Sequence, residues 1–145
     1  MKTTLSLPMP AEMLVPHRPP ILVIERLLEF NDTQGVVESY MHPDSIFARK
    51  DGSIEQVTMV EIIAQSFAAV KGYADLLAGK PISKGFLVGV KRLNIFGMVY
   101  KGDGLLTFIE RVGETDEFSL AEGKVMREGQ LIASGNVMVW VPKNI

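Results

Sequence analysis

The chain is 145 residues long, with 47% hydrophobic and 22% charged residues, the proportions of one globular domain spanning 1–145 rather than a tail, a repeat array or two domains. Lys plus Arg 15 against Asp plus Glu 17 leaves a net charge of -2, which argues against nucleic acid as a partner. Zero cysteines exclude a thiol nucleophile and a cysteine-held cluster, and His17 and His42 lack metal-ligand spacing, so neither a metal nor another cofactor is expected.

Residues 1–10 carry one lysine and no apolar run before Glu12, so no signal peptide is predicted. The longest apolar stretches, 21–24 and 137–141, fall far short of the roughly 20 residues that span a bilayer. A cytoplasmic protein with no membrane span is expected. Pro8, Pro10, Pro16, Pro19 and Pro20 leave room for one short helical turn at 11–14 within a lead-in arm. Residues 21–30 and 36–41 are predicted as a hairpin across the turn Asn31-Asp32-Thr33-Gln34-Gly35. Periodicity fails over 42–52, a loop long enough to carry function.

Ser53-Ile54-Glu55-Gln56 fits a capping box and predicts a helix opening at Ser53 and closing at Gly79. Val57, Met59, Val60, Ile62, Ile63, Ala64, Phe67, Ala68, Ala69 and Val70 put apolar side chains on nearly every face of it, the mark of a helix buried on all sides. Four strands are predicted after it, at 84–95, 104–113, 118–127 and 131–141, joined by connections short enough to imply antiparallel neighbours. The fold class is therefore α+β, one antiparallel sheet wrapped around one central helix. A single sheet covers only part of such a helix, and a second copy of the chain is the expected cover, making a dimer.

Nucleophile elbow, phosphate loop, dinucleotide-binding and metalloprotease signatures are all absent from the sequence. Thr58, Glu61 and Gln65 share one helix face. A carboxylate is almost never fully buried without a partner, and Glu61 is the most anomalous residue of the helix. Burial disfavours its charged form and would leave it a proton to give to a leaving group; the same three residues also fit a solvent edge or a dimer seam. Ala64, Ala68 and Gly72 read as packing against the sheet, with an acyl-chain contact as the rival reading. Gly85 and Gly89 read as a bulge or a close ligand approach. His17, held in Pro16-His17-Arg18-Pro19-Pro20, reads as a structural hydrogen-bonding residue, and His42 opens the loop leading to the helix.

Leu14-Val15-Pro16-His17-Arg18-Pro19-Pro20-Ile21-Leu22-Val23-Ile24-Glu25-Arg26 resembles the L-P-H-R-x-P-F-L-L-V-D-R opening of the hotdog-fold 3-hydroxyacyl-acyl-carrier-protein dehydratases of the FabZ and FabA kind. Glu61-Ile62-Ile63-Ala64-Gln65 resembles their E-x-x-A-Q helix motif, and Lys101-Gly102-Asp103 stands where they carry P-G-D. The family's G-H-F-P-G, whose histidine is its base, has no counterpart: Phe47-Ala48-Arg49-Lys50-Asp51-Gly52 holds no histidine. Gly52, the E-x-x-A-Q run and Gly85-Phe86-Leu87-Val88-Gly89 are more similar to the divergent ApeP-type branch of aryl-polyene and related lipid clusters.

The resemblance implies a dimeric hotdog fold and dehydration of a 3-hydroxyacyl thioester on acyl carrier protein or CoA. Such a reaction needs a base, an acid and an N–H donor for the thioester carbonyl. The roles it implies are Glu61 as acid with Gln65 orienting it, His42 as replacement base, backbone N–H groups at Gly52, Ser53 and Ile54 as carbonyl donors under the helix dipole, and Gly85 and Gly89 against the substrate. Arg49, Lys50, Lys84, Lys91 and Arg92 would meet an acidic carrier protein. Because sites of this family take histidine from one chain and glutamate from the other, a homodimer or a heterodimer with another hotdog chain is implied. A subunit that only completes a partner's site, or an acyl-thioester hydrolase, are the rival functions.

Overall fold

The computed structural model describes residues 5–142; the absent-leader reading of 1–10 lies partly outside them. In chain order come β1 (Met9–Pro10), a 3₁₀ turn (Ala11–Met13), β2 (Arg26–Asn31), β3 (Gln34–Tyr40), α1 (Thr58–Leu77), β4 (Phe86–Ile95), β5 (Gly104–Glu114), β6 (Phe118–Arg127) and β7 (Gln130–Trp140). They form one seven-stranded antiparallel sheet in the order β1-β2-β3-β5-β6-β7-β4, and α1 touches every strand from β2 to β7. The expected wrapped sheet is what the chain builds, but the four late strands are not all sequential neighbours. β5, β6 and β7 form a meander. β4 pairs with β7 at the far edge, so residues 96–103 cross the sheet's end rather than turning a hairpin. The segment is tied there by Lys101 N–H to the Gly52 carbonyl and Ile54 N–H to the Val99 carbonyl, both 2.8 Å.

The helix starts five residues later than its capping-box pattern predicts. The Ser53 hydroxyl and N–H both donate to Asp51 Oδ1, at 2.6 and 2.9 Å, a local turn that competes with capping. These two bonds also hold the exposed Asp51 carboxyl below its usual range. The first helical N–H groups are satisfied by tighter i−3 bonds, Thr58 to Glu55 and Met59 to Gln56. The other end is as expected: Gly79 takes φ +70°, with Gly79 N–H on the Leu76 carbonyl and Lys80 N–H on that of Asp75, a Schellman closure.

Met59, Ile62, Ile63 and Phe67 pack down onto Leu105 and Ile109 of β5, Ala121 and Val125 of β6, and Ala133 and Val137 of β7, all buried. The sheet does not reach all round α1, and part of the remainder is covered by the chain's own arm rather than by another molecule. Gly72 allows this. A Cβ there would collide with the carbonyl oxygen of Leu14, so the helix and arm backbones are in contact. At Gly72 the close packing expected against the sheet is therefore made with the arm instead, while Ala64 and Ala68 face Leu87, Val139 and Val141 across a small cavity. The apolar surface left open lies instead on β4, where Phe86, Leu87, Val88, Val90 and Leu93 are each between 37% and 51% exposed on an edge strand, the kind of surface proteins ordinarily cover.

Candidate active site

Glu61 and Gln65 lie one turn apart on α1, and Gln65 is fully buried. Its Nε2 donates to Glu61 Oε1 (2.8 Å) and to the Ile21 carbonyl (3.1 Å), while its Oε1 accepts the Val23 N–H (2.9 Å). One amide thus fixes the carboxyl and straps the arm to the helix. Glu61 is half-buried and, among the described residues, its second oxygen has no protein partner. It opens into a cavity of about 80 Å³ with Ala64, Phe67, Ala68 and Lys71 of α1 on one side, and Ser83, Gly85, Leu87, Val139 and Val141 opposite. Two larger cavities exist: one of about 350 Å³ around His42, and one of about 260 Å³ on the strands near Glu29, Glu110 and Glu122. Neither has a carboxyl set among apolar walls by a buried partner.

His17 lines the same small cavity as Glu61. The sequence reading gave it a structural hydrogen bond, yet its Nδ1 is buried without a partner, and the described residues offer none to Nε2 either. Burial lowers its pKa from 6.5, with the nearby Glu61 charge opposing the shift. What holds the residue is its backbone. Arg18 folds its guanidinium over the arm, donating to the carbonyls of Val15 (2.9 Å), His17 (2.7 Å) and Glu12 (3.1 Å). Gln65 and Gly72 pin the arm on either side. The site is therefore an imidazole and a carboxyl facing one apolar cleft, with Lys71 at its edge reaching toward Glu114 (3.8 Å).

Comparison with known proteins decides the family. Residues 9–145 match the model of the ApeP-like family, described as ApeP dehydratase. The chain belongs to the ApeP-like dehydratases. The 3-hydroxyacyl-acyl-carrier-protein dehydratase FabZ of Streptococcus pneumoniae serotype 4 is 30% identical over 132 residues, 85% of this chain and 89% of that protein. Among solved structures, the dehydratase heterocomplex ApeI:P from Xenorhabdus doucetiae superposes with a TM-score of 0.87 at 19% identity, covering 94% of this chain and 93% of that one. A hypothetical thioesterase with coenzyme A from Streptococcus pneumoniae shares the fold at a TM-score of 0.63 and 13% identity, over 80% and 84% of the two chains. This ApeP-like chain is accordingly a hotdog-fold, dehydratase-like protein of acyl-thioester chemistry, and no helix among its described residues is long and apolar enough to cross a membrane.

Other residues singled out in the sequence are not gathered here. His42 is exposed, its Nε2 2.7 Å from Glu25 Oε1 and its ring edge-on to Tyr40, in a cavity that Glu61 does not line. The N–H groups of Gly52, Ser53 and Ile54 are all committed, to the Arg49 carbonyl, Asp51 and the Val99 carbonyl, and the helix begins beyond them, so within the chain they are not free carbonyl donors. Gly85 lies on the cavity wall, whereas Gly89 follows a bulge in the β4–β7 register. Lys84 adjoins that wall and Arg49 is paired with Glu55 at 2.9 Å, which raises its pKa. Lys91 and Arg92 are exposed farther along β4. His17, read from the sequence as structural rather than catalytic, is the residue the structure adds to the Glu61 cavity. Its signal was the Pro16-His17-Arg18-Pro19-Pro20 run itself, a stiffened segment fixing one ionisable side chain.

Proposed function

We propose that the chain eliminates water from a 3-hydroxyacyl thioester carried on acyl carrier protein or CoA, with Glu61 as the acid that protonates the departing hydroxyl and Gln65 as the residue that positions it. The observation that carries this reading is the Gln65 amide: anchored on the arm by the Val23 N–H and the Ile21 carbonyl, it donates its remaining N–H to one Glu61 oxygen and leaves the other to the cleft. A carboxyl kept in an apolar wall by a buried amide suits proton transfer better than fold stability, for which an apolar residue would serve.

The cavity of one chain, about 80 Å³, is well below the roughly 300–1,000 Å³ of small-molecule sites. A second hotdog chain, identical or different, completes it against the exposed β4 row, supplying tunnel wall and the N–H donor for the thioester carbonyl that 52–54 do not offer. Lys84 lies at the Trp140 end of β4, and Arg49 and Lys50 lie in the loop tied to 99–101 at the other end, so the carrier-protein docking face takes Lys84 from one chain and Arg49 and Lys50 from the second, and the reaction belongs to the cytoplasm.

The test is Glu61→Gln, assayed with 3-hydroxyacyl-carrier protein in the active assembly. An amide keeps shape and hydrogen bonding without a transferable proton, so turnover to the enoyl product should fall about 100–10,000-fold while the fold persists. Unchanged turnover refutes the acid role. Release of free acid instead of enoyl thioester would make the protein a thioesterase, and activity only on adding another hotdog chain would fix the second chain as a different one.

A further inference from the structure

Elimination also needs a base for the α-proton, and the family's histidine is missing from 47–52. We infer that His17 is that base, acting from the same chain as Glu61 across the cleft they share. The inference rests on the dehydration reading above. Three observations carry it. The imidazole has no structural partner: Nδ1 is buried without one and Nε2 has none among the described residues. An aromatic polar ring enclosed without a hydrogen bond is a cost the fold tolerates only where the group is used. Its backbone is pinned three times over, by Arg18 on the carbonyls of Glu12, Val15 and His17, by Gln65 on Ile21 and Val23 and by the contact of Gly72 with Leu14. One of those pins is the amide that orients Glu61, so base and acid are set relative to each other by a single side chain. Finally, the two groups line one apolar cavity without bonding to each other, leaving the gap a substrate fills.

The step balances within the site. His17 takes the C2 proton through Nε2, the nitrogen not enclosed; the C2–H electrons form the C2=C3 bond; the C3–O bond breaks; and the hydroxyl accepts the Glu61 proton and leaves as water. The imidazolium then returns its proton to the Glu61 carboxylate beside it, restoring both groups. Burial favours the neutral ring that this needs at pH 7. The charged groups around it are Glu61 and Lys71 on α1 and Arg18 on the arm; the facing wall, Ser83, Gly85, Leu87, Val139 and Val141, carries none.

The experiment is turnover of His17→Gln and His17→Gly against 3-hydroxyacyl-carrier protein in the active assembly from pH 5 to 9, with Glu61→Gln alongside. We expect kcat of His17→Gln to fall about 100–10,000-fold with KM within a few-fold. The wild-type loss of kcat/KM as pH falls below the ordinary histidine range should disappear, and added imidazole should restore part of the activity of His17→Gly. His17→Gln active with Glu61→Gln inactive overturns the base assignment and leaves the acid reading standing; both active overturns both. Should the variants not fold, wild-type protein is treated with diethyl pyrocarbonate and the modified residue mapped by mass spectrometry. Turnover that falls in step with carbethoxylation of His17, and is protected by a 3-hydroxyacyl amide, supports the assignment. Turnover that survives full modification of His17 overturns it.

Discussion

The chain has two histidines, and the fold treats them in opposite ways. His42 leaves β3 into the loop that leads to α1, nearer in sequence to Glu61, and ends in a surface ion pair with Glu25 (2.7 Å) over a separate cavity of about 350 Å³. His17 stands 44 positions before Glu61, in an arm that sequence alone makes a spacer, and is folded against it in a cleft with no partner of its own. The difference teaches that a reactive group is recognised by what has been withheld from it. A histidine given a carboxylate at the surface is satisfied; one enclosed, stiffly mounted and left unpaired is available.

The contrast depends first on the arm staying where it is, and the largest predicted effect attacks that. Gly72→Ala puts a methyl into the Leu14 carbonyl, and neither backbone yields cheaply. We expect a loss of about 3 kcal/mol, the upper range of overpacking, by chemical denaturation, with turnover falling further than the folded fraction because the arm carries His17. A stability within experimental error of wild type would mean the arm is free to shift, and the His17 site would lose its mounting.

Gln65→Leu sharpens the comparison next. It keeps helix propensity and bulk but strips the Val23 N–H and the Ile21 carbonyl of their partner; leaving such buried groups unmet costs about 1–3 kcal/mol. It also frees the Glu61 carboxyl. Turnover per folded molecule should drop, chiefly in kcat. Equal kcat with only the stability loss would make Gln65 a strap for the arm and no more.

A smaller effect separates the histidines by pH. The native His17 pKa lies below 6.5 because burial disfavours its charged form, so the unfolded chain binds that proton more readily. As pH falls from about 6.5 toward the native value, the unfolded state gains protons the folded state refuses, and stability declines. It is restored as pH rises. The unfolding free energy of wild type minus that of His17→Gln should therefore be smaller at pH 5.5 than at pH 7.5. A constant difference would show that burial does not resist charging of this ring.

How much of this was readable beforehand follows from range. Glu61 and Gln65 are four residues apart, a spacing helical geometry resolves, and Gly79 closes the helix because glycine accepts φ +70° where other residues resist. The start of α1 is not legible in the sequence because Ser53 has two equally local uses, capping a helix or closing a turn on Asp51, and a four-residue pattern does not choose between them. The β4–β7 pairing and the His17–Glu61 approach join positions 38 or more residues apart, and no local signal states them. Even so, the arm carried a hint in its prolines, since a segment stiffened at Pro16, Pro19 and Pro20 presents His17 at a fixed angle.

The smallest predicted effect is the one that completes the contrast. His42→Asn removes an exposed ion pair with Glu25, of a kind worth about 0–1 kcal/mol, and an edge contact with Tyr40. Because the ring lies in a different cavity from Glu61 within the chain, turnover should stay within about twofold of wild type, and unfolding midpoints should move little. The informative failure runs the other way. If His42→Asn loses activity on the hundredfold scale expected of an acid–base residue while His17→Gln does not, His42 reaches Glu61 across a chain–chain interface, with the imidazole of one protomer serving the carboxyl of its partner. That outcome would also explain why 47–52 holds no histidine: the base would have moved upstream in the same loop instead of into the arm.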